Sequence, residues 1–187
     1  MRCDCNNGLV TSLDLGDRGL ESGGLDPTLF DLTSLKYLNL ASNNFNGSQL
    51  PPTGFERLTE LTHLNLSSSS FSGQVPNGIG HLTNLISLDL STGFEVTELL
   101  RYVPWIYVHS ISFFTRLVEQ NLDKLIAKLS NLRELNLGFM DLSNNEANWC
   151  NIITKSCPKL RVLRLRYSQI SGPICASLHY LLSLTYG

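Results

Sequence analysis

A pattern of leucine and polar positions recurs along the chain and begins in its clearest form at Leu32. Each copy spans nine residues and places mainly leucine at its first, fourth, seventh and ninth positions. The seventh and ninth positions flank one polar residue, which is the two-residue alternation of a β-strand. The pattern therefore predicts a short strand in every complete copy. The fourth position falls at Leu35, Leu61, Leu85, Leu132, Leu160 and Leu184.

The spacing of these copies indicates the fold class. Successive fourth positions are 26, 24, 47, 28 and 24 residues apart. A repeat of about 20–29 residues built on this pattern is the signature of a leucine-rich repeat. No single copy is long enough to bury its own leucine side chains. Copies that stack in parallel bury the leucine side chains of their neighbours. We predict an α/β leucine-rich-repeat solenoid of about six to seven repeats. It is curved, with a parallel β-sheet on the concave face and loops and short helices on the convex face.

The loops after the strands carry recurring apolar and turn-forming residues. Phe45, Phe71 and Ile170 each precede a glycine by two residues, so we expect the large side chain to pack inward while the glycine permits the turn. An ideal repeat also has an asparagine three residues after the ninth position, and Asn43 fits. Other residues replace it in later copies, which predicts an incomplete internal polar ladder at Ser69, Gly93, Met140 and Ser168.

The 47-residue step leaves residues 94–128 without a clear copy of the pattern. This segment is rich in aromatic side chains, among them Tyr102, Trp105 and Tyr107. Because aromatic residues are favoured anchors at protein interfaces, one hypothesis makes the segment a ligand-contact island. The other makes it a degenerate repeat whose aromatic side chains fill its own gap. Helical spacing predicts a short helix towards its end, at Leu122, Leu125, Ile126 and Leu129.

Composition and charge exclude several classes of function. The chain has 187 residues, 42% of them hydrophobic, and a formal net charge of −2. This charge gives no strong field for nucleic acid or for an acidic membrane surface. The uncharged stretch 102–115 has 14 residues, fewer than the roughly 20 apolar residues of a membrane span. No signal-peptide pattern precedes the repeats, and we expect the chain to be truncated at both ends.

We expect no enzymatic activity, because the sequence has no recognisable catalytic constellation. Catalysis requires a nucleophile, a base and a stabilising group that converge in a pocket, and the four histidines are spread over different repeats. His63 is the histidine predicted on the concave face, with Asn39 and Asp89 as its expected neighbours. A hydrogen-bonded row on an open sheet lacks the exclusion of water that efficient chemistry needs.

The five cysteines predict neither a metal site nor a cofactor, because no set of cysteine and histidine has zinc spacing. Cys150 and Cys157 are close in sequence. We predict that they either form a disulfide that closes a short loop or remain two reduced, half-buried thiols.

Several motifs together resemble one family. The chain starts with Arg2-Cys3-Asp4-Cys5 and later contains Asn148-Trp149-Cys150 and Ser171-Gly172-Pro173-Ile174-Cys175. With the strand pattern and the glycine–proline turns, these motifs resemble the ectodomains of plant receptor-like proteins of the disease-resistance type, a plant-specific class of leucine-rich repeats. The resemblance implies four segments. They are the remnant of an N-terminal cysteine cap at 1–9, repeats at 10–93, an irregular island or degenerate repeat at 94–128, and repeats at 129–187 with the last one incomplete.

The resemblance also implies a function. Complete members of the family have a signal peptide, many more repeats, one membrane span and a short cytosolic tail, and they signal through partner kinases. We therefore expect a ligand- or protein-binding ectodomain segment on the extracellular side of the plasma membrane, acting in pathogen recognition and defence. Expected partners are a peptide, protein or glycan ligand and a co-receptor kinase, with no nucleic acid. A membrane is expected only through a C-terminal span absent from this chain.

An alternative function stays open, because growth receptors and inhibitors of pathogen wall-degrading enzymes share these motifs. The alternative is a secreted inhibitor-like leucine-rich-repeat module or a truncated product without a signalling role. The family comparison also bears on the cysteines. The family's partner for Cys3 would precede Met1, so Cys3 is expected to be unpaired. Family members often have a cysteine at the position of Ser168 that pairs with the one at Cys175, so Cys175 is expected to be a free thiol.

The outward strand positions are the predicted binding surface, because solenoids bind through their concave face. Arg164 and Arg166 are expected to project on the same side and to grip a carboxylate. Asn46 and Asn65 lie in Asn-X-Ser glycosylation sequons. A glycan on Asn65 would stand on the concave face and block that repeat. The concave-face candidates are Tyr37, Asn39, His63, Ser87, Asp89, Glu134, Asn136, Arg164 and Arg166.

Overall fold

The computed structural model describes residues 2–3, 8–92, 116–145, 148–181 and 185–186. Within these ranges the backbone forms ten strands. They are β1 (Arg2–Cys3), β2 (Val10–Asp14), β3 (Tyr37–Asn39), β4 (His63–Asn65), β5 (Gly73–Gln74), β6 (Ser87–Asp89), β7 (Leu117–Val118), β8 (Glu134–Asn136), β9 (Val162–Arg164) and β10 (Thr185–Tyr186).

The main sheet runs in the spatial order β1-β2-β3-β4-β6-β8-β9-β10. Strand β1 is antiparallel to β2, and the other neighbouring pairs of this sheet are parallel. Leu38, Leu64, Leu88 and Leu135 are paired in register at the centres of β3, β4, β6 and β8. Equivalent strand leucines therefore lie side by side in one direction, and the predicted α/β leucine-rich-repeat solenoid is confirmed.

Short helices connect the strands on the other side of the solenoid. In the described ranges, four 3₁₀ helices span Pro27–Asp31, Phe55–Arg57, Asn77–His81 and Ala176–Tyr180, and two α-helices span Leu122–Ile126 (α1) and Trp149–Ser156 (α2). None of the described helices has the length and apolar character needed to cross a membrane.

Helix α1 confirms the helix predicted towards the end of residues 94–128, the long step of 47 residues between two copies of the pattern. The side-chain oxygen of Asn121 accepts a hydrogen bond from the backbone N–H of Lys124, 2.9 Å away, which satisfies one of the free donors at the helix start. Leu122, Leu125 and Ile126 are buried, with no more than 2% of their surface exposed. The aromatic residues Tyr102, Trp105 and Tyr107 lie outside the described residues.

The residues directly before α1 pair with an earlier repeat. Strand β7 pairs in parallel with β5, so that Leu117 lies beside Gly73 and Val118 beside Gln74. These two strands form a second, two-stranded sheet. The side chain of Gln74 also donates from Nε2 to Oε1 of Glu119 at 3.0 Å. Residues from Leu117 onwards therefore belong to the same packed stack as the repeats before the long step.

The core is a column of leucines with aromatic rings stacked beside it. The strand leucines Leu38 and Leu64 are at most 1% exposed, and burial of one such side chain is worth about 1.5–3 kcal/mol. The rings of Phe45 and Phe71 stack with centroids 4.3 Å apart. The predicted inward packing of these loop phenylalanines is confirmed. The glycine after Phe71, Gly73, has a φ of 78°, a conformation that a side chain disfavours.

The internal polar ladder is incomplete at its described positions, as predicted, and Gly93 lies outside the described residues. Asn43 is 5% exposed, and its Nδ2 donates to the carbonyl oxygens of Leu15 and Leu40, each 2.8 Å away. One repeat later, the shorter Ser69 donates from Oγ to the Leu40 carbonyl at 2.7 Å. Met140 occupies the equivalent position in the core with no exposed surface. Ser168 donates to the carbonyl of Leu165, within its own repeat.

A second buried asparagine, Asn145, bridges neighbouring repeats as Asn43 does. It does not stand three residues after the ninth position of its copy. Asn145 lies after β8 and is 7% exposed. Its Nδ2 donates to the carbonyl oxygen of Glu119, and its Oδ1 accepts from the backbone N–H of Leu122. Asn145 therefore joins the start of α1 to the following repeat, a role that the nine-residue pattern did not indicate.

The predicted pairing of Cys150 with Cys157 is wrong. Cys150 forms a disulfide with Cys175, and the two Cα atoms are 5.7 Å apart. The expectation that Cys175 is a free thiol is therefore also wrong. Cys157 is free and fully buried, because it occupies the first position of its copy, where the other copies have a core leucine. Burial raises the pKa of the Cys157 thiol to about 12, so this thiol stays protonated.

Candidate functional site

The first outward row of the concave face consists of the residues with which strands of the main sheet begin. Tyr37, His63, Ser87, Glu134 and Val162 are neighbours in register along β3, β4, β6, β8 and β9. The rings of Tyr37 and His63 lie with centroids 5.9 Å apart. Ser87 donates from Oγ to Oε2 of Glu134 at 3.4 Å. The row changes from aromatic to polar and acidic along the solenoid, and it ends on an aliphatic side chain.

The register corrects the predicted surroundings of His63. Its neighbours in the adjacent repeats are Tyr37 and Ser87, not Asn39 and Asp89. The imidazole Nδ1 lies 2.9 Å from the hydroxyl of Thr62. The predicted neighbours of His63 were wrong because each strand has two outward positions, and His63 occupies the first of them whereas Asn39 and Asp89 occupy the second.

The second outward row contains Asp14, Asn39, Asn65, Asp89, Asn136 and Arg164, which are paired in register across the sheet. The asparagine and aspartate members share one local motif, in which the side-chain oxygen accepts from the backbone N–H two residues later. The donors are Gly16, Ala41, Ser67, Ser91 and Gly138. This Asx turn fixes the side chain at the point where each strand ends.

Hydrogen bonds between strands hold part of this second row together. Nδ2 of Asn39 donates to Oδ1 of Asp14 at 2.9 Å. Nδ2 of Asn136 donates to Oδ2 of Asp89 at 2.9 Å. The predicted contacts Asn39, Asp89 and Asn136 are thus preorganised by their neighbours. These side chains are therefore held at fixed positions, as a binding surface requires.

A cationic and aromatic cluster lies at the far end of the concave face. Arg164 ends β9, and both Arg164 and Arg166 are exposed. The guanidinium carbon of Arg166 lies 5.2 Å from the centroid of the Tyr167 ring, which is within cation–π range. The Tyr167 ring in turn lies 5.2 Å from that of Phe139. The two arginines were predicted from the sequence as contacts, whereas Phe139 and Tyr167 were not.

Backbone geometry is the signal that distinguishes these two aromatic residues. Phe139 and Tyr167 have φ angles of 62° and 52°, and Ser42 and Ser68 occupy the same turn position in earlier repeats with φ of 55° and 50°. Bulky residues rarely adopt this left-handed conformation. A large aromatic residue two positions after the ninth position of a copy would have been the sequence-level indication.

The two sequons differ in their surroundings. Asn46 is exposed in a loop after β3. Asn65 stands in the second concave row, where its Oδ1 accepts from both the backbone N–H and the hydroxyl of Ser67. The amide of Asn65 is therefore already bonded to the serine of its own sequon.

A groove runs along the sheet edge where the strands begin, and we call it the edge groove. It encloses about 380 Å³ and was not predicted from the sequence. Its lining residues are contributed by successive repeats from positions just before each strand. They are Lys36, Glu60, Thr62, Asn84, Ile86, Asn131, Arg133 and Lys159. Within the described part of the chain, no group of three or more His, Cys, Asp or Glu side chains is arranged to hold a metal ion.

The sequence matches the leucine-rich-repeat family model at residues 34–58 and 60–82. It is 40% identical to Receptor-like protein 6 of Arabidopsis thaliana over 144 residues, which are 76% of this chain and 13% of that protein. It is 30% identical to Receptor-like protein EIX1 of Solanum lycopersicum over 188 aligned positions, covering 92% of this chain and 18% of that protein. The chain thus spans less than a fifth of either relative.

Solved structures support the fold. The ectodomain of the Arabidopsis thaliana receptor kinase SOBIR1 is 23% identical, with a TM-score of 0.63 over 92% of this chain and 79% of that one. The Arabidopsis receptor kinase HAESA, solved with the peptide hormone IDA and the co-receptor SERK1, is 24% identical with a TM-score of 0.57 over 97% of this chain and 30% of that one. The prediction of no enzymatic activity agrees with these relatives, which are named as receptor-like proteins. The chain belongs to the plant leucine-rich-repeat receptor-like proteins and corresponds to a segment of their repeat region.

Proposed function

We propose that this chain is a ligand-binding ectodomain segment of a cell-surface receptor-like protein. In this proposal it lies on the extracellular side of the plasma membrane and acts in pathogen recognition and defence signalling through partner kinases. The observation that carries the proposal is the pair of outward rows on the concave face, in which successive strands present mainly polar or charged side chains in register. Such a surface suits an extended peptide or a protein segment, because it offers hydrogen-bonding groups at regular spacing.

The cluster around Arg166 is the proposed anchor of that ligand. Arginine and tyrosine are enriched among the residues that dominate binding energy, and Arg164, Arg166 and Tyr167 are all exposed. A ligand carboxylate here would be bound by guanidinium groups that form planar, paired hydrogen bonds. Tyr102, Trp105 and Tyr107 remain proposed contacts from the long step. We also propose a glycan at the exposed Asn46, whereas one at Asn65 would cover the middle of the face.

The partner kinase is proposed by analogy. The receptor kinase HAESA was solved with a peptide hormone and a co-receptor, SERK1, and its ectodomain shares the fold of this chain. We therefore propose a peptide or protein ligand and a co-receptor kinase for the complete gene product. A secreted inhibitor-like module without signalling is the alternative.

The test uses the complete gene product expressed in leaf tissue with an epitope tag. Microbial protein preparations are applied, and the defence response and co-precipitation of a SERK-type kinase are measured. We expect the paired Arg164→Glu and Arg166→Glu substitutions to abolish both readouts. The matched pair Lys128→Glu and Lys155→Glu changes the net charge equally on exposed residues away from the strands and should preserve both. A secreted product that never associates with membranes would support the inhibitor-like alternative instead.

A further inference from the structure

The edge groove is separate from the concave rows and is built on a rigid backbone ladder. The carbonyl of Lys36 accepts from the N–H groups of Thr62 and His63, and the Thr62 carbonyl accepts from Ile86 and Ser87. The same arrangement continues through Arg133 to Arg161, whose N–H donates to the Arg133 carbonyl at 2.7 Å. Each repeat therefore contributes one residue to this backbone ladder, and main-chain hydrogen bonds fix the spacing of these residues.

Positive charge dominates the groove. Lys36, Arg133 and Lys159 line it together with a single carboxylate, Glu60. Among the described residues the ion pair that forms is Asp31–Arg57, so no described carboxylate lies within salt-bridge distance of the three cations. Glu134 follows Arg133 in sequence, but its carboxylate is in the concave row, where it accepts from Ser87.

Neighbouring amides position the cationic end of the groove. Nζ of Lys159 donates to Oδ1 of Asn131 at 2.7 Å, and Nδ2 of Asn131 donates to the backbone carbonyl of Thr83 at 3.1 Å. Asn84 is fixed in the same way by the carbonyl of Thr59. The ammonium group of Lys159 is thus held in place while it keeps donor capacity for a ligand.

We propose that the edge groove binds an extended acidic peptide segment, with peptide carboxylates at Arg133 and Lys159. The groove extends from the repeat of β3 to the repeat of β9, which are four strand spacings apart in the sheet. At about 4.8 Å per spacing this is about 19 Å, the length of about six residues of extended chain. This inference goes beyond the proposed function, because it uses a different surface from the concave rows.

The lining favours a peptide over a uniformly anionic polysaccharide. The half-buried side chain of Ile86 offers an apolar contact at the middle of the groove, which suits a peptide side chain. Glu60 accepts hydrogen bonds from peptide N–H groups, whereas it repels a chain that is anionic at every residue. The side-chain oxygen of Asn84 is a second acceptor for a peptide N–H.

The experiment measures fluorescence anisotropy of two labelled peptides with the complete 187-residue chain. One peptide alternates aspartate and alanine, and the other alternates asparagine and alanine. We expect binding of the acidic peptide only, weakening as salt rises from about 0.02 M to about 0.5 M because screening acts over the Debye length. The paired Arg133→Glu and Lys159→Glu substitutions should weaken binding at least about tenfold.

Two control pairs locate the site. Lys128→Glu with Lys155→Glu makes the same charge change outside the groove, and Arg164→Glu with Arg166→Glu makes it on the concave face. The Lys128/Lys155 pair should stay within about twofold of the wild type. The Arg164/Arg166 pair, which removes the proposed anchor of the concave face, should weaken binding less than the groove pair does. An equal loss of affinity in all three double variants would show that binding depends only on the net charge of the protein, and it would overturn the proposal. Loss only in the Arg164/Arg166 pair would place the peptide on the concave face. Equal binding of the asparagine peptide, or equally strong competition by an oligouronate, would also overturn it.

Discussion

The sulfur atoms of Cys150 and Cys175 are joined across two adjacent repeats, linking the first turn of α2 to the residue before the last 3₁₀ helix. The bond spans 25 residues, which is close to the length of one repeat. Residues one repeat apart occupy equivalent positions in neighbouring coils of a solenoid. The disulfide is therefore a covalent link between layers that otherwise adhere by packing.

Removal of this link should destabilise the end of the stack. We expect the double substitution Cys150→Ser and Cys175→Ser to lower the free energy of unfolding by about 3 kcal/mol, because closing a loop of this size restricts the unfolded chain. Urea unfolding measures the loss. As a control, Cys157→Ala removes a buried thiol outside the bond and should cost only about 1 kcal/mol. A tryptic map without reduction that links Cys150 to Cys157 would contradict the assignment.

The Asn43 amide should contribute more to stability than the serine that replaces it one repeat later. Asn43 bonds the carbonyls of Leu15 and Leu40, and its Oδ1 accepts from the N–H of Leu20 at 3.0 Å. Asn43→Ala leaves several buried groups without partners, so we expect a loss of about 3 kcal/mol, against about 1 kcal/mol for Ser69→Ala. Urea titration of both variants beside the exposed-site control Asn77→Ala provides the measurement. Equal losses for Asn43 and Ser69 would refute this ranking.

The strand stack was predictable from the sequence because its cause is local and periodic. Leu38, Leu64 and Leu88 recur at regular intervals between polar residues, and side chains with that spacing become core in any parallel stack. The concave rows followed from the same periodicity. The row of His63 did not, because alternation identifies outward positions without saying which outward positions meet across strands.

The disulfide and the edge groove both depend on contacts between residues of different copies. The pattern of positions within one copy does not predict such contacts. Cys157 was paired with Cys150 on sequence proximity, yet Cys157 stands at a core position of the repeat. Cys175, one repeat beyond Cys150, was the better partner on repeat spacing. The groove brings Arg133 and Lys159 together from different copies, and both positions are variable ones that the leucine pattern leaves unspecified.

The contact between Gly80 and α1 gives a sharp test of how α1 packs against an earlier repeat. A Cβ atom on Gly80 would lie 2.8 Å from the carbonyl oxygen of Leu125 and 2.9 Å from that of Lys124. Because both are backbone atoms, Gly80→Ala forces the third 3₁₀ helix and α1 apart, and we expect a loss of about 2 kcal/mol in thermal or urea unfolding. Gly23→Ala, where a Cβ meets open space, should change stability by less than about 1 kcal/mol. If Gly80→Ala proved as stable as the wild type, α1 would not pack there.

Glu119 should make stability fall as pH rises. The residue Glu119 is 5% exposed, and burial raises the pKa of its carboxyl group above the ordinary 4.5, although hydrogen bonds from Asn121 and Gln74 oppose the shift. The folded state therefore favours the protonated form. This contribution is complete below the unfolded pKa and is lost as pH rises through the higher folded pKa. Glu119→Gln mimics the neutral form, so its stability relative to the wild type should increase from about pH 4 to about pH 7.

Asp141 supplies a control of opposite sign for this pH dependence. Hydrogen bonds from the side chain and backbone of Ser143 lower the pKa of Asp141 below the ordinary 3.8. The folded state here favours the ionised carboxylate, so this stabilisation is present above the unfolded pKa and is lost as pH falls through the folded pKa. Asp141→Asn should therefore be less stable than the wild type at about pH 7, with the difference shrinking towards about pH 2. Urea unfolding of both variants across this pH range measures their stability relative to the wild type. If this relative stability changed with pH in the same direction for Glu119→Gln and Asp141→Asn, the burial of Glu119 would be contradicted.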